Sequence, residues 1–194
     1  ARRASLSVNN LSEQSIQQAV QDLLDMAKGS PQDDAYDIAP AQPAESFDFG
    51  ASAPDADLMY ERLDDFINYS KSHHPSTILE EAVIDFTHNQ SRLVNSNGVD
   101  FNVGQGLYNA SVMFTSKDGV DTSSFNYAGF SSLQLEKKLQ DEAYLAELLT
   151  QSEEQVRTRS IPSKFNGDLL IMPHVLEEFT GFLMSNISDM SMIS

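Results

Sequence analysis

The segment VDFNVGQGLYNASVMF, residues 99–114, alternates apolar and polar side chains on either side of a Gly-Gln-Gly interruption. This two-residue period is typical of strands that bury one face of a sheet. Similar alternation precedes it at 82–87 and follows it at about 120–127. The segments are separated by turn sequences: Asn97-Gly98, Gly104-Gln105-Gly106 and Asp118-Gly119. Since short connections join antiparallel neighbours, the sequence predicts a β-meander.

Helical periods flank this meander. Ser12 is a suitable N-cap for an amphipathic helix that ends at Gly29, and a second helix is predicted from about Asp57 to His73. After Ser131 the apolar spacing is again helical as far as about Gln155.

The remaining elements are short. Arg3–Val8 could form a strand, and Asp168–Met172 is predicted to be a buried strand. Pro173 suits the first turn of a last helix. The predicted fold class is therefore α/β of the α+β kind: an antiparallel β-meander packed with amphipathic helices, followed by a strand–Pro–helix unit.

We expect residues 1–194 to form a single α+β domain. Residues 30–56 differ in composition, because prolines and acidic side chains interrupt them and few apolar residues are available for burial. They are predicted to be an acidic, proline-containing excursion over the domain.

The charge balance limits the partners. The chain has 12 basic and 29 acidic residues, a formal net charge of −17. Nucleic acids bind through Lys and Arg, which release phosphate counterions, so this balance argues against nucleic acid and against anionic membranes. The chain has no cysteine, which excludes disulfides and thiolate ligands. We expect a cytoplasmic location.

The sequence predicts neither a catalytic nor a metal-binding residue in this chain. Zinc sites usually need three protein ligands, and the four histidines do not form a His-Glu-x-x-His helix. His174 and Glu178 share a helix face, but they would supply only two ligands. His73 and His74 lie at a helix end, and His88 is a lone histidine at a strand end. There is also no Gly-x-Ser-x-Gly elbow.

Five segments carry a resemblance to known proteins: Ser12–Lys28 with the Asp-rich stretch after it, Asn95-Ser96-Asn97-Gly98, the strand pair ending near Tyr127, the helix Asp141–Gln151, and Phe165–Pro173 with its helix. In this order they resemble the middle of the TldD/PmbA family, whose longer members are also called modulators of DNA gyrase. The resemblance implies that Asn95, Ser96, Asn97 and Gly98 form a family-motif turn, which is a candidate peptide-binding site.

The resemblance also implies a division of roles. A TldD-like member is a metallopeptidase with a His-Glu-x-x-x-His helix after the strand that corresponds to Asp168–Met172. The PmbA/TldE-like member lacks that motif and pairs with it. The helix after Pro173 has no His-Glu pair, so the chain is similar to the PmbA/TldE type.

The expected function is therefore that of a zinc-free subunit, or part of one, in a cytoplasmic assembly that hydrolyses unfolded peptides. We expect a TldD-like partner or a homo-oligomer, with zinc in the partner and no cofactor in this chain. An alternative is a non-catalytic protein-binding or scaffold domain without a peptidase role. A third hypothesis makes His174 and Glu178 a metal centre.

Overall fold

The computed structural model describes residues 1–160, 163–164 and 166–187, with only the backbone of His174. The helices are α1 (Glu13–Gly29), α2 (Ala56–His73), α3 (Leu145–Gln155) and α4 (Pro173–Asn186). The strands are β1 (Glu45–Phe49), β2 (Thr77–Val94), β3 (Asp100–Asp118), β4 (Asp121–Thr122) and β5 (Asn126–Ser132). A single 3₁₀ turn, Leu139–Asp141, precedes α3. This composition confirms the predicted α+β class.

The long strand β3 is the centre of the sheet. It pairs with β1, β2, β4 and β5, so that in the described part of the chain every other strand is its neighbour. β4 forms a tight antiparallel hairpin with the end of β3, where Asp118 is paired with Asp121. β5 is antiparallel to the middle of β3, from Tyr108 paired with Ser132 to Phe114 paired with Asn126.

The predicted turn at Gly104-Gln105-Gly106 is wrong, because β3 continues through it. The two glycines instead allow other atoms to approach the strand closely. A Cβ on Gly106 would lie 1.8 Å from the carbonyl oxygen of Ala51 and 2.9 Å from the Phe86 ring. A Cβ on Gly104 would lie 2.5 Å from a carboxylate oxygen of Asp48. Glycine within a strand often marks such a close approach.

The chain divides into two compact units, one of Ala1–Phe47 with Gln90–Val103 and one of Asp48–Asn89 with Gly104–Ser194. In the first unit, the side chain of Ser12 caps α1, as predicted. No residue of α1 is buried, and Val20 and Leu24 are each about half exposed. Residues 30–56 contain β1, whose Phe47 contacts Phe101 edge to face with ring centroids 5.9 Å apart.

The second unit contains the hydrophobic core. Alternate residues of β3, including Val112 and Phe114, point into it, in agreement with the two-residue period of the sequence. Phe66 of α2 and Leu149 of α3 pack into the same cluster and are fully buried. Non-directional burial of apolar surface thus holds two helices against one face of the sheet.

The continuous helix expected after Ser131 is interrupted. Ala143 and Tyr144 have φ angles of 49° and 57°, in the left-handed region, so that α3 begins only at Leu145. Leu135 and Leu139 are nevertheless buried, because a loop and a 3₁₀ turn bring them to the core. A left-handed backbone costs a non-glycine residue roughly 1–2 kcal/mol, and the burial of these apolar side chains offsets that cost.

Two other predicted strands are absent from the described residues. Asp168–Met172 has no strand pairing, and Leu169 and Leu170 are 78% and 85% exposed, so this segment is not buried. Near the start of the chain only Arg2 forms an isolated bridge, with Gln32. α4 begins at Pro173, as predicted. Phe165, the first residue of the strand–Pro–helix motif, lies outside the described residues.

Candidate functional site

Asn95, Ser96, Asn97 and Gly98 form the turn between β2 and β3, in the first unit. The side-chain oxygen of Asn95 accepts the backbone N–H groups of Asn97 and Val99, both at 3.0 Å. Gly98 has a φ of 98°, a conformation that favours glycine. Asn95 therefore shapes the turn, and Gly98 permits it.

The side-chain amides of this turn bind a segment of the chain that has no regular secondary structure. The Asn95 amide donates to the carbonyl oxygen of Ala39 at 2.9 Å, and the Asn97 amide donates to the carbonyls of Ile38 and Ala39 at 3.3 and 3.1 Å. These bonds involve backbone carbonyls, so they do not depend on the side chains of the bound segment. Ser96 is exposed and takes no part in this contact. The geometry suits recognition of a peptide backbone.

The described histidines do not converge. His73 is exposed and stacks on the Tyr69 ring, with centroids 4.4 Å apart. His88 is exposed on β2. The position of the His174 side chain, for which we considered a metal-ligand role, lies outside what the structure describes. Within the described residues, no group of three His, Cys, Asp or Glu side chains could hold a metal ion.

His74 differs from the helix-end residue expected from the sequence, because it is buried and paired. Its Nδ1 lies 3.0 Å from a carboxylate oxygen of Glu153 in α3. The hydroxyl of Ser76 donates to the other oxygen at 2.5 Å. Burial opposes ionisation of Glu153, but the hydrogen bonds from Ser76 and His74 outweigh it and lower the pKa of this carboxyl below its ordinary value. Glu153 thus fastens α3 to the end of α2.

A cluster of buried, hydrogen-bonded hydroxyl groups lies around Ser152 of α3, next to Glu153. The Ser152 Oγ lies 2.9 Å from that of Ser116 and 3.1 Å from that of Ser123, and it also accepts from the Asn126 amide at 3.2 Å. Thr77 joins the group through Ser116 at 2.8 Å. Each hydroxyl is hydrogen-bonded, as buried polar groups require. No local pattern predicts this cluster, since serine is common throughout the chain.

A groove lies beside β5 in the second unit. Its volume is about 400 Å³, and it is lined by β5, the start of α3 and the first turns of α4: Tyr127, Ala128, Gly129, Ala143, Tyr144, Leu148, Pro173 and Glu177. Within the described residues β5 pairs only with β3, so its other edge has unpaired backbone N–H and C=O groups. An extended chain could form backbone hydrogen bonds there.

Among the side chains that the structure describes, Glu177 is the one charged group that lines the groove. It is exposed, and its carboxylate pairs with none of the side chains that the structure describes. The exposed ring of Tyr127 lies on the strand side of the groove. The groove therefore offers a strand edge, tyrosine rings and one carboxylate.

No helix in the described part of the chain is long and apolar enough to cross a membrane.

A sheet centred on one long strand, with helices on one face and a groove beside an outer strand, places the chain in the α+β class. Comparison with solved structures makes this more specific: the fold is similar to that of TldE from Thermococcus kodakarensis, with a TM-score of 0.50. The match covers 77% of this chain and 33% of that one, at 11% sequence identity. The chain thus spans about a third of the length of the matched structure.

The likeness in fold agrees with the TldD/PmbA resemblance in the sequence. No family model matches the chain, and no curated protein matches it.

Proposed function

We propose that the chain is a zinc-free, TldE-like subunit, or part of one, that binds extended peptides within a TldD/TldE-type peptidase assembly. The groove beside the unpaired edge of β5 is the observation that carries this proposal. Strand addition uses backbone hydrogen bonds, so it accepts many sequences and requires the substrate to be unfolded. The fold likeness to TldE supports the assembly.

The turn of Asn95 and Asn97 supports the same chemistry in the other unit. Its amides already bind two backbone carbonyls of the 38–39 segment of this chain. We propose that the turn takes part in peptide binding, either by binding the backbone of a substrate directly or by fixing the 38–39 segment of its own unit.

Hydrolysis is assigned to a TldD-like partner, because peptide cleavage by a metallopeptidase needs a metal-activated water. A cytoplasmic location is part of the proposal, since unfolded cytoplasmic peptides would be the substrates. A homo-oligomer is the other arrangement that we expected, and it would provide binding without zinc chemistry.

Co-purification tests the assembly. The chain is expressed with a tagged homologue that carries His-Glu-x-x-x-His, and the eluted mass is measured by light scattering. We expect a heteromeric complex that hydrolyses a fluorogenic unfolded peptide and is inhibited by a chelator. A chain that stays alone while the homologue cleaves peptide at an unchanged rate would refute the assembly and favour the scaffold alternative.

Strand addition has a separate test that needs no partner. In an extended strand, the amide N–H groups of alternate residues point toward the same neighbouring strand. N-methylation of one alternate set or of the other therefore gives two isomers of one peptide, each unable to donate hydrogen bonds along one of its edges. We expect fluorescence anisotropy to show that one isomer loses binding to the purified chain and the other keeps it. Equal binding of both isomers would exclude backbone pairing at a strand edge.

A further inference from the structure

Building on the proposed peptide-binding function, we infer that the groove beside β5 selects extended peptides that carry a cationic side chain, and that Glu177 determines this preference. The groove has a carboxylate, tyrosine rings and an apolar wall that includes Leu148. A long basic side chain suits this combination, because its methylene stem covers apolar surface while its charged end meets the carboxylate. Arginine fits best, since its planar guanidinium stacks on tyrosine rings.

Two helix N-termini lie near the groove and favour anions, so their effect must be weighed. Each N-terminus carries roughly half a positive charge that falls off within the first turn. Glu147 in the first turn of α3 offsets that of α3. α4 has no acidic residue in its first turn, but the full negative charge of Glu177 lies on the same helix and lines the groove. The carboxylate therefore outweighs the helix terminus.

The charge of the whole chain acts in the same direction. A net charge of −17 attracts cationic peptides toward the surface and repels acidic ones. This long-range effect raises the rate of encounter, whereas Glu177 acts at the groove itself. The two contributions can be separated, because substitution of one carboxylate changes the total charge very little.

The test uses four fluorescein-labelled nonapeptides of alternating threonine and valine, with arginine, lysine, glutamine or glutamate at the centre. Their affinities for the 194-residue chain are measured by fluorescence anisotropy at low and high salt. We expect the arginine peptide to bind about fivefold more tightly than the glutamine peptide at low salt, the size typical of an exposed ion pair with a stacked ring. The glutamate peptide should bind most weakly, and salt should reduce the differences.

Glu177→Gln should reduce the preference for arginine to the part that the net charge contributes, which high salt suppresses, and should leave binding of the glutamine peptide unchanged. Glu178→Gln is the matched control: it removes the same charge one residue further along α4, at a position that does not line the groove. Both side chains are exposed, so thermal melting should show that both variants fold like the parent chain.

The outcomes separate the inference from the function on which it rests. Equal affinity for arginine and glutamine, tighter binding of glutamate, or a preference that is undiminished in Glu177→Gln would each overturn the inference, although peptide binding would stand. Failure of all four peptides to bind would overturn the proposed function as well. Loss of the preference in Glu178→Gln but not in Glu177→Gln would show that Glu178 determines the preference, and it would also overturn the inference.

Discussion

Replacement of Gly106 by alanine adds one methyl group at a crowded point of the sheet. The new Cβ would lie 1.8 Å from the carbonyl oxygen of Ala51. That oxygen would have to withdraw by roughly 1.5 Å to reach an ordinary C···O contact of about 3.3 Å. The same two segments also approach closely at Gly50, where a Cβ would be 2.2 Å from the carbonyl oxygen of Gly106, so little space is available for this shift. The Cβ on Gly106 would also lie 2.9 Å from the Phe86 ring, which is a second contact that is too short.

Overpacking of this kind costs about 1–3 kcal/mol and more where backbone must shift, so we expect Gly106→Ala to lower the free energy of unfolding by at least about 3 kcal/mol. For a chain of this size that corresponds to a fall in melting temperature of about 6–12 °C. Differential scanning calorimetry measures both quantities.

Gly181→Ala is the control, because no atom of the described residues lies within 4 Å of a Cβ at that position in α4. Alanine is the better helix former, so this variant should gain up to about 1 kcal/mol. A Gly106→Ala chain that melts within 2 °C or so of the parent would refute the close approach of the 50–51 backbone to β3.

Three further predictions concern the polar contacts. Glu153→Gln should lower the free energy of unfolding by about 1–2 kcal/mol at neutral pH, because it weakens hydrogen bonds to a charged group. Since the pKa of Glu153 is lowered in the folded state, this contribution is present above the ordinary pKa and is lost as pH falls through the folded value. Urea titrations should therefore show that the stability difference between the parent and the variant shrinks below about pH 4. Ser152→Ala should cost about 1–3 kcal/mol, since it leaves buried partners unsatisfied; an unchanged urea midpoint would contradict the hydroxyl cluster. Asn97→Ala should loosen the 38–39 segment, although Asn95 still binds Ala39, and should increase cleavage of the segment by a broad-specificity protease severalfold, whereas Ser96→Ala should not. Equal cleavage of both variants would contradict the contact between the turn and this segment.

The regular elements could be predicted where one period dominates. α1 and α2 were found within a residue of their ends, because capping residues and apolar spacing agree there. The alternation from Tyr108 to Phe114 also predicts the buried face of that part of β3 correctly, whereas Phe101 and Val103 have the opposite parity. The interruption at Gly104 was misread because glycine serves both turns and close approaches, and only the position of the 50–51 backbone distinguishes them.

The prediction of a continuous helix before α3 is wrong for a related reason. Apolar residues four apart satisfy a helix, but Leu135 and Leu139 reach the core from a loop and a 3₁₀ turn. Sequence spacing cannot reveal the left-handed pair at Ala143 and Tyr144, since neither residue type signals that conformation.

The candidate sites differ in how much the sequence revealed. The turn at Asn95–Gly98 could be named from its residues, whereas its contact with Ile38 and Ala39 could not, because more than fifty residues separate them. The pairing of His74 with Glu153 spans 79 residues and has no local signature. The groove depends on three elements at once, so no single segment predicts it.

The buried serine cluster has a consequence for how substitutions combine. A hydroxyl offers one proton and two lone pairs, so the directions of the protons among Thr77, Ser116, Ser123 and Ser152 are set jointly. Removal of one member lets the others rotate to a new arrangement. Thermodynamic cycles across these four positions should therefore be strongly non-additive, and the second deletion should cost less than the first.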